Sequence, residues 1–105
     1  MKKFNNVTIS AVANIYFDGQ VTSRKVTFAD ASVKTLGIMM PGEYIFSTVE
    51  EELMEIQQGN VSVLLPDSNT WQTFTANQAF GVPANSSFKI RVITLADYCC
   101  SYITQ

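Results

Sequence analysis

Residues 41–65 read PGEYIFSTVEEELMEIQQGNVSVLL, and the period of this stretch decides the fold. Tyr44, Phe46 and Thr48 alternate with Ile45 and Ser47, so they share one face of an extended segment. Glu52, Met54 and Ile56 share a face in the same way. The run VEEELMEIQQ has some helical composition. It is short, however, and leads straight into Gly59-Asn60 and another β-branched run, so a strand is expected over a helix. Gly59-Asn60 can supply the positive φ angles of a two-residue turn, which predicts a hairpin between LMEIQQ and VSVLL.

The same texture extends in both directions. Strands are expected near residues 7–16, 20–28, 33–40, 43–49, 52–57, 61–65, 71–75, 79–82, 87–95 and 97–103. Asp18-Gly19, Pro41-Gly42, Pro66-Asp67 and Ala84-Asn85 punctuate them as turns. In FKIRVIT, Phe88, Ile90 and Val92 take one face and Lys89 and Arg91 the other. About ten short strands in one chain of 105 residues predict a single all-β domain, closed as a sandwich or barrel.

Composition narrows the function. The chain is 47% hydrophobic and 15% charged, which excludes a disordered chain. No apolar run approaches the ~20 residues of a membrane-spanning helix, and the start MKKFNNVTISAVANIYF, interrupted by Asn5, Asn6 and Thr8, is not expected to act as an export signal. A membrane partner is not expected, and the expected location is cytoplasmic. Histidine is absent, which excludes a histidine triad, a histidine general base and any imidazole-built metal site. Seven basic residues against nine acidic ones leave a net charge of −2, which does not favour a nucleic-acid polymer. Cys99 and Cys100 are adjacent, where a bridge would be strained and would close almost no loop. Two packed thiols in a late strand are expected instead.

The stretch 41–65 also resembles the metal-binding frame of cupin barrels, in which two histidines, a glutamate and a third histidine point inward. Glu52 is followed by six residues and Gly59, as in the first cupin motif. The paired histidine positions fall on Phe46 and Thr48. In the second motif Pro83 fits, Asn77 and Asn85 stand where glycines are usual, and the third histidine position falls on Phe88. The frame therefore keeps one ligand of four. One carboxylate and one hydroxyl make a poor cation site, so the expected cavity has no metal and is lined by aromatic faces with a few polar groups.

A more specific likeness lies in PGEYIFST, the Glu-x-Met before Gly59, LLPD with a following Trp71, F-x-VP-x-x-S-x-F and the ending DYCCSY. From about Tyr16 to Tyr102 the chain resembles the small cupin-type pyrimidine/purine nucleoside phosphorylases. The resemblance implies a cupin-type, jelly-roll-like barrel over 16–105 and an N-terminal extension over 1–15 that can add a strand. It also implies a homodimeric, metal-independent pentosyltransferase of broad specificity. Such an enzyme uses inorganic phosphate as co-substrate and needs no cofactor. It converts purine and pyrimidine nucleosides to free base and ribose 1-phosphate.

Residue roles follow from that chemistry. Glu52 can accept hydrogen bonds from vicinal ribose hydroxyls and favour a developing oxocarbenium ion. Alternatively, it is a buried glutamate satisfied by Thr48, Tyr44 or backbone amides. Tyr44, Phe46 and Phe88 can stack on a base of either class, or simply pack the core. Thr48 is a further polar contact in that site, and Met54 a gap-filler beside Glu52. Phosphate requires a cation or clustered amides. Arg24 and Arg91 are the main candidates, with Lys34 behind them, although Arg91 falls on the outer face. The rival from another class is a non-catalytic cupin that binds a sugar or nucleoside without turnover.

Overall fold

Alternating inward and outward residues build nine strands, all paired antiparallel, in the computed structural model, which describes residues 2–103. They are β1 (Thr8–Ile9), β2 (Asn14–Tyr16), β3 (Val21–Thr27), β4 (Val33–Met39), β5 (Gly42–Ser47), β6 (Glu51–Leu64), β7 (Gln72–Thr75), β8 (Gln78–Val82) and β9 (Ser87–Ile103). β1 and β2 both pair with β3, so the first expected strand is in fact two short ones.

The other differences in count come from merging. Residues 52–57 and 61–65 belong to the single strand β6, and 87–95 and 97–103 to β9. The hairpin expected at Gly59-Asn60 is absent. Instead β6 runs through this point beside β9, with register shifts between Ile56 and Val61 that mark bulges. Gly59 does have the positive φ, 106°, that its sequence context suggested. The reason is close approach: a Cβ there would run into the Leu95 carbonyl and lie 2.8 Å from the Ala96 Cα.

The bulges bend the β6–β9 ribbon, and each half takes different neighbours. Residues 96–101 of β9 pair with β4, while 87–92 pair with β5. Residues 52–56 of β6 pair with β8, while 60–63 pair with β7. Two sheets thus share two strands that cross from one to the other, a familiar way for a double sheet to turn a corner. The main hydrogen-bonding path begins at β1 and ends at β7, so the barrel is open rather than closed.

The inner faces meet in one core that includes Val21, Met39, Ile56, Val61, Phe80 and Ile90. Each such side chain contributes roughly 1.5–3 kcal/mol on burial. Asn77 and Asn85, which replace the usual glycines, have φ values of 69° and 54°. Asparagine tolerates this left-handed region because its short amide bonds locally. The turns at Asp18-Gly19, Pro66-Asp67 and Ala84-Asn85 lie where expected, the second closed by Ser68 N donating to the Leu65 carbonyl at 3.2 Å.

Candidate active site

Strand register assembles the site. On the inward face Thr35 lies opposite Cys100 and Cys100 opposite Met54, while Gly37 lies opposite Tyr98 and Tyr102 opposite Glu52. Gly37 matters here. A Cβ on it would strike the Thr22 carbonyl and come within 2.9 Å of the Tyr98 ring. The missing side chain lets Tyr98 lie across β4 and donate its hydroxyl to the Thr22 carbonyl at 3.1 Å.

These residues enclose a cavity of about 160 Å³. That is near the ~150 Å³ able to hold one benzene-sized ring. One wall is aromatic: Phe46 and Phe88 stack with centroids 5.7 Å apart and planes at 29°. Phe17 meets Phe46 edge-on at 5.5 Å, which fixes the first ring from behind. The facing wall carries Glu52 with Ser23, Thr35, Tyr98, Cys100 and Tyr102. Met39 and Met54 fill the floor, and Tyr16 and Ser47 complete the lining.

Burial raises the Glu52 carboxyl above its ordinary value; the Cys100 thiol opposes that shift and the nearby Glu50 charge adds to it. Cys100 Sγ donates to Glu52 Oε1 at 3.5 Å. The thiol is itself pushed up, first by burial and then by the Glu52 charge, so it remains a donor. Burial likewise raises the Tyr98 and Tyr102 phenols. Tyr102 Oη lies 3.3 Å from Thr35 Oγ1, a hydrogen-bonded pair on the polar wall. The wall presents neutral hydroxyls around one acid, an arrangement suited to a polyhydroxylated ring.

Of the residues expected at the site, Glu52, Phe46, Met54 and Phe88 converge on the cavity. Tyr44 and Thr48 do not line it. Tyr44 is buried and donates its hydroxyl to the Met40 carbonyl at 2.7 Å, packing behind Phe46. Thr48 Oγ1 donates to the Pro83 carbonyl at 2.6 Å and accepts from Ser86 N at 3.1 Å, so it locks the β8–β9 turn.

The basic candidates also lie away from this cavity. Arg24 is exposed and donates to the Ala11 carbonyl at 3.3 Å. Arg91 pairs with Glu43 at 3.1 Å and stacks over Trp71 at 3.8 Å on the outer face. Lys34 lies over Phe4 and Phe28. Among the described residues, no Lys or Arg lines the ring-sized cavity.

The sequence reading missed the polar wall on β9. Its signal is Tyr98-x-Cys100-x-Tyr102, three large or polarisable side chains at period two. The two thiols are free and buried as expected, but they take opposite faces, and only Cys100 reaches the cavity.

The model of the family described as pyrimidine/purine nucleoside phosphorylase matches residues 11–102. The chain belongs to the pyrimidine/purine nucleoside phosphorylase family. A relative of that name from Colwellia psychrerythraea is 61% identical over 104 residues, covering 99% of this chain and all of the relative. Another of the same name, from Syntrophotalea carbinolica, is 56% identical, covering 98% and 99% of the two chains. A crystal structure of a protein of unknown function from Acinetobacter superposes with a TM-score of 0.94 at 39% identity, over 96% of this chain and 98% of that one. An RmlC-like cupin from Shewanella frigidimarina has a TM-score of 0.69 at 16% identity, covering 95% and 86%, which places this family member in the cupin fold. No helix among the described residues is long and apolar enough to cross a membrane.

Proposed function

We propose that the chain is a phosphate-dependent pentosyltransferase that cleaves both purine and pyrimidine nucleosides to free base and ribose 1-phosphate. The observation that carries this reading is the convergence of Glu52, neutral hydroxyls and a stacked aromatic pair on one ring-sized cavity. A whole nucleoside exceeds about 160 Å³, so one ring enters and the other lies at the mouth.

A phosphate oxygen donates an electron pair to the anomeric carbon, forming the new C–O bond. The C–N glycosidic bond breaks, and its pair leaves with the base, which takes a proton from solvent. The sugar carries positive charge at the transition state. Glu52, ionised, accepts from the vicinal hydroxyls and opposes that charge. Phe46 and Phe88 offer π faces, and stacking tolerates either base class, which supports broad specificity. Carbon faces stand at two former ligand positions, so the reaction is proposed to run without metal or cofactor, in a cytoplasmic homodimer.

The test is incubation with uridine and with guanosine, with and without inorganic phosphate. Base release that requires phosphate and persists in chelator is the expected result. One observation favours the rival binding module: the absence of a basic side chain from the cavity wall among the described residues. Binding without base release would establish that alternative.

A further inference from the structure

Phosphorolysis requires something to hold the anion, and strand register shows where the chain offers it. Five basic residues lie in strands: Arg24, Lys25, Lys34, Lys89 and Arg91. Arg24 and Lys34 alternate away from the cavity-lining Ser23 and Thr35, and Lys89 and Arg91 away from the buried Phe88, Ile90 and Val92. Lys25 alone has the parity of the cavity-lining Ser23, although its own side chain is exposed and Val26, on the opposite parity, is buried. Lys25 shares that parity of β3 with the core residue Val21 as well, and lies directly opposite Thr35. Among the described residues the ion pairs are Lys2–Glu55 and Arg91–Glu43, and Lys25 takes part in neither.

Lys25 borders a second cavity of about 410 Å³ that is open to solvent: Asn14, Lys25, Ser32 and Glu50 on its rim are exposed, while Tyr102 is half-buried and Thr35 buried at its base. Thr35 and Tyr102 also line the first cavity, so their hydrogen-bonded pair is a partition between the two spaces. A second link runs from Asn14 Nδ2 to Ser23 Oγ, at 3.2 Å, across the same boundary. The Ser32 hydroxyl is occupied by Asp30 at 2.6 Å, and the Glu50 carboxylate opposes an anion. The attractive groups are therefore the Lys25 ammonium, the Asn14 amide and the hydroxyls of the partition.

We propose that this second cavity is the phosphate subsite, with Lys25 as its cation. The nucleophile then approaches the anomeric carbon across Thr35 and Tyr102, from the side opposite the stacked rings. This assignment rests on the phosphorolytic reading above.

The test compares Lys25→Met, Lys25→Arg and Glu50→Gln in the full chain. Losing a charge-assisted contact should raise the KM for phosphate about tenfold to a hundredfold in Lys25→Met. The KM for uridine should stay within about twofold, because uridine binding does not use this residue. Lys25→Arg should recover most of the loss, and Glu50→Gln should lower the phosphate KM. An unchanged phosphate KM in Lys25→Met overturns the assignment while leaving phosphorolysis intact. If the wild-type chain releases no base, calorimetric titration with inorganic phosphate decides the matter separately. Binding that is lost in Lys25→Met supports the anion subsite without the reaction. Equal binding in both proteins, or none in the wild type, overturns the subsite.

Discussion

At the Glu52 carboxyl, two demands pull against each other. The proposed catalysis uses the ionised form, whereas burial favours the protonated one. Activity should therefore fall on acidification at a pH above the ordinary glutamate value of 4.5. The Cys100 hydrogen bond offsets part of the burial, so Cys100→Ala should move the acid limb of the kcat/KM profile still higher. Glu52→Gln should lower turnover by roughly 10²–10³-fold, as for loss of a transition-state contact. Its effect on stability has the opposite sign. A carboxyl raised in the folded state binds more protons there than in the unfolded chain, so stability declines as pH rises through that window. Glu52→Gln should melt higher than wild type at about pH 7, with the gap closing at pH values below the ordinary carboxyl range. Thermal melts across pH check this. Glu52 was legible because its spacing to Gly59 survives in the sequence. Thr48 lies off the cavity wall, and its place was not legible because alternation gives a side chain's face but not its partner. Its hydroxyl found two backbone groups of the β8–β9 turn.

At the level of elements, β6 and β9 organise everything else. Their shared bend depends on Gly59, where the backbone is left-handed and the Leu95 carbonyl fills the space a side chain would need. Backbone atoms cannot step aside as a side chain can. Gly59→Ala should thus destabilise by about 2–4 kcal/mol, combining conformational strain with overpacking. Urea unfolding would register it as a lower midpoint at similar slope. This glycine also explains the one misplaced hairpin. A Gly-Asn pair between two apolar runs carries the same local signal whether the chain reverses or bulges. Only the partner strand, more than thirty residues later in the sequence, distinguishes the two. Faces, in contrast, were legible along β5, residues 52–56 of β6 and residues 88–92 of β9, where alternation runs uninterrupted; beyond the bulge of β6 the parity flips.

Across the whole molecule, the ring-sized cavity between the sheets and the solvent-open one beside it meet at Thr35 and Tyr102. The fold class was readable from strand texture, and the family from a handful of short motifs. The proposed anion site was not, since it depends on which of two exposed neighbours, Arg24 or Lys25, shares the parity of Ser23. That parity is set by the pairing of β3 with β4 rather than by either residue. A homodimer remains part of the proposed function, and light scattering at micromolar concentration should return twice the chain mass; a single-chain mass would remove that element. One topological fact bears on biosynthesis. β4, β5 and β6 all find hydrogen-bonding partners in β9, the last strand of the fold. A ribosome still translating this protein therefore holds a chain that can nucleate β3 with β4, and β6 with its β7 and β8 neighbours, but cannot unite them. Native structure must wait until β9 has cleared the exit tunnel, and until then the unassembled edges are exposed to chaperones or to other nascent chains.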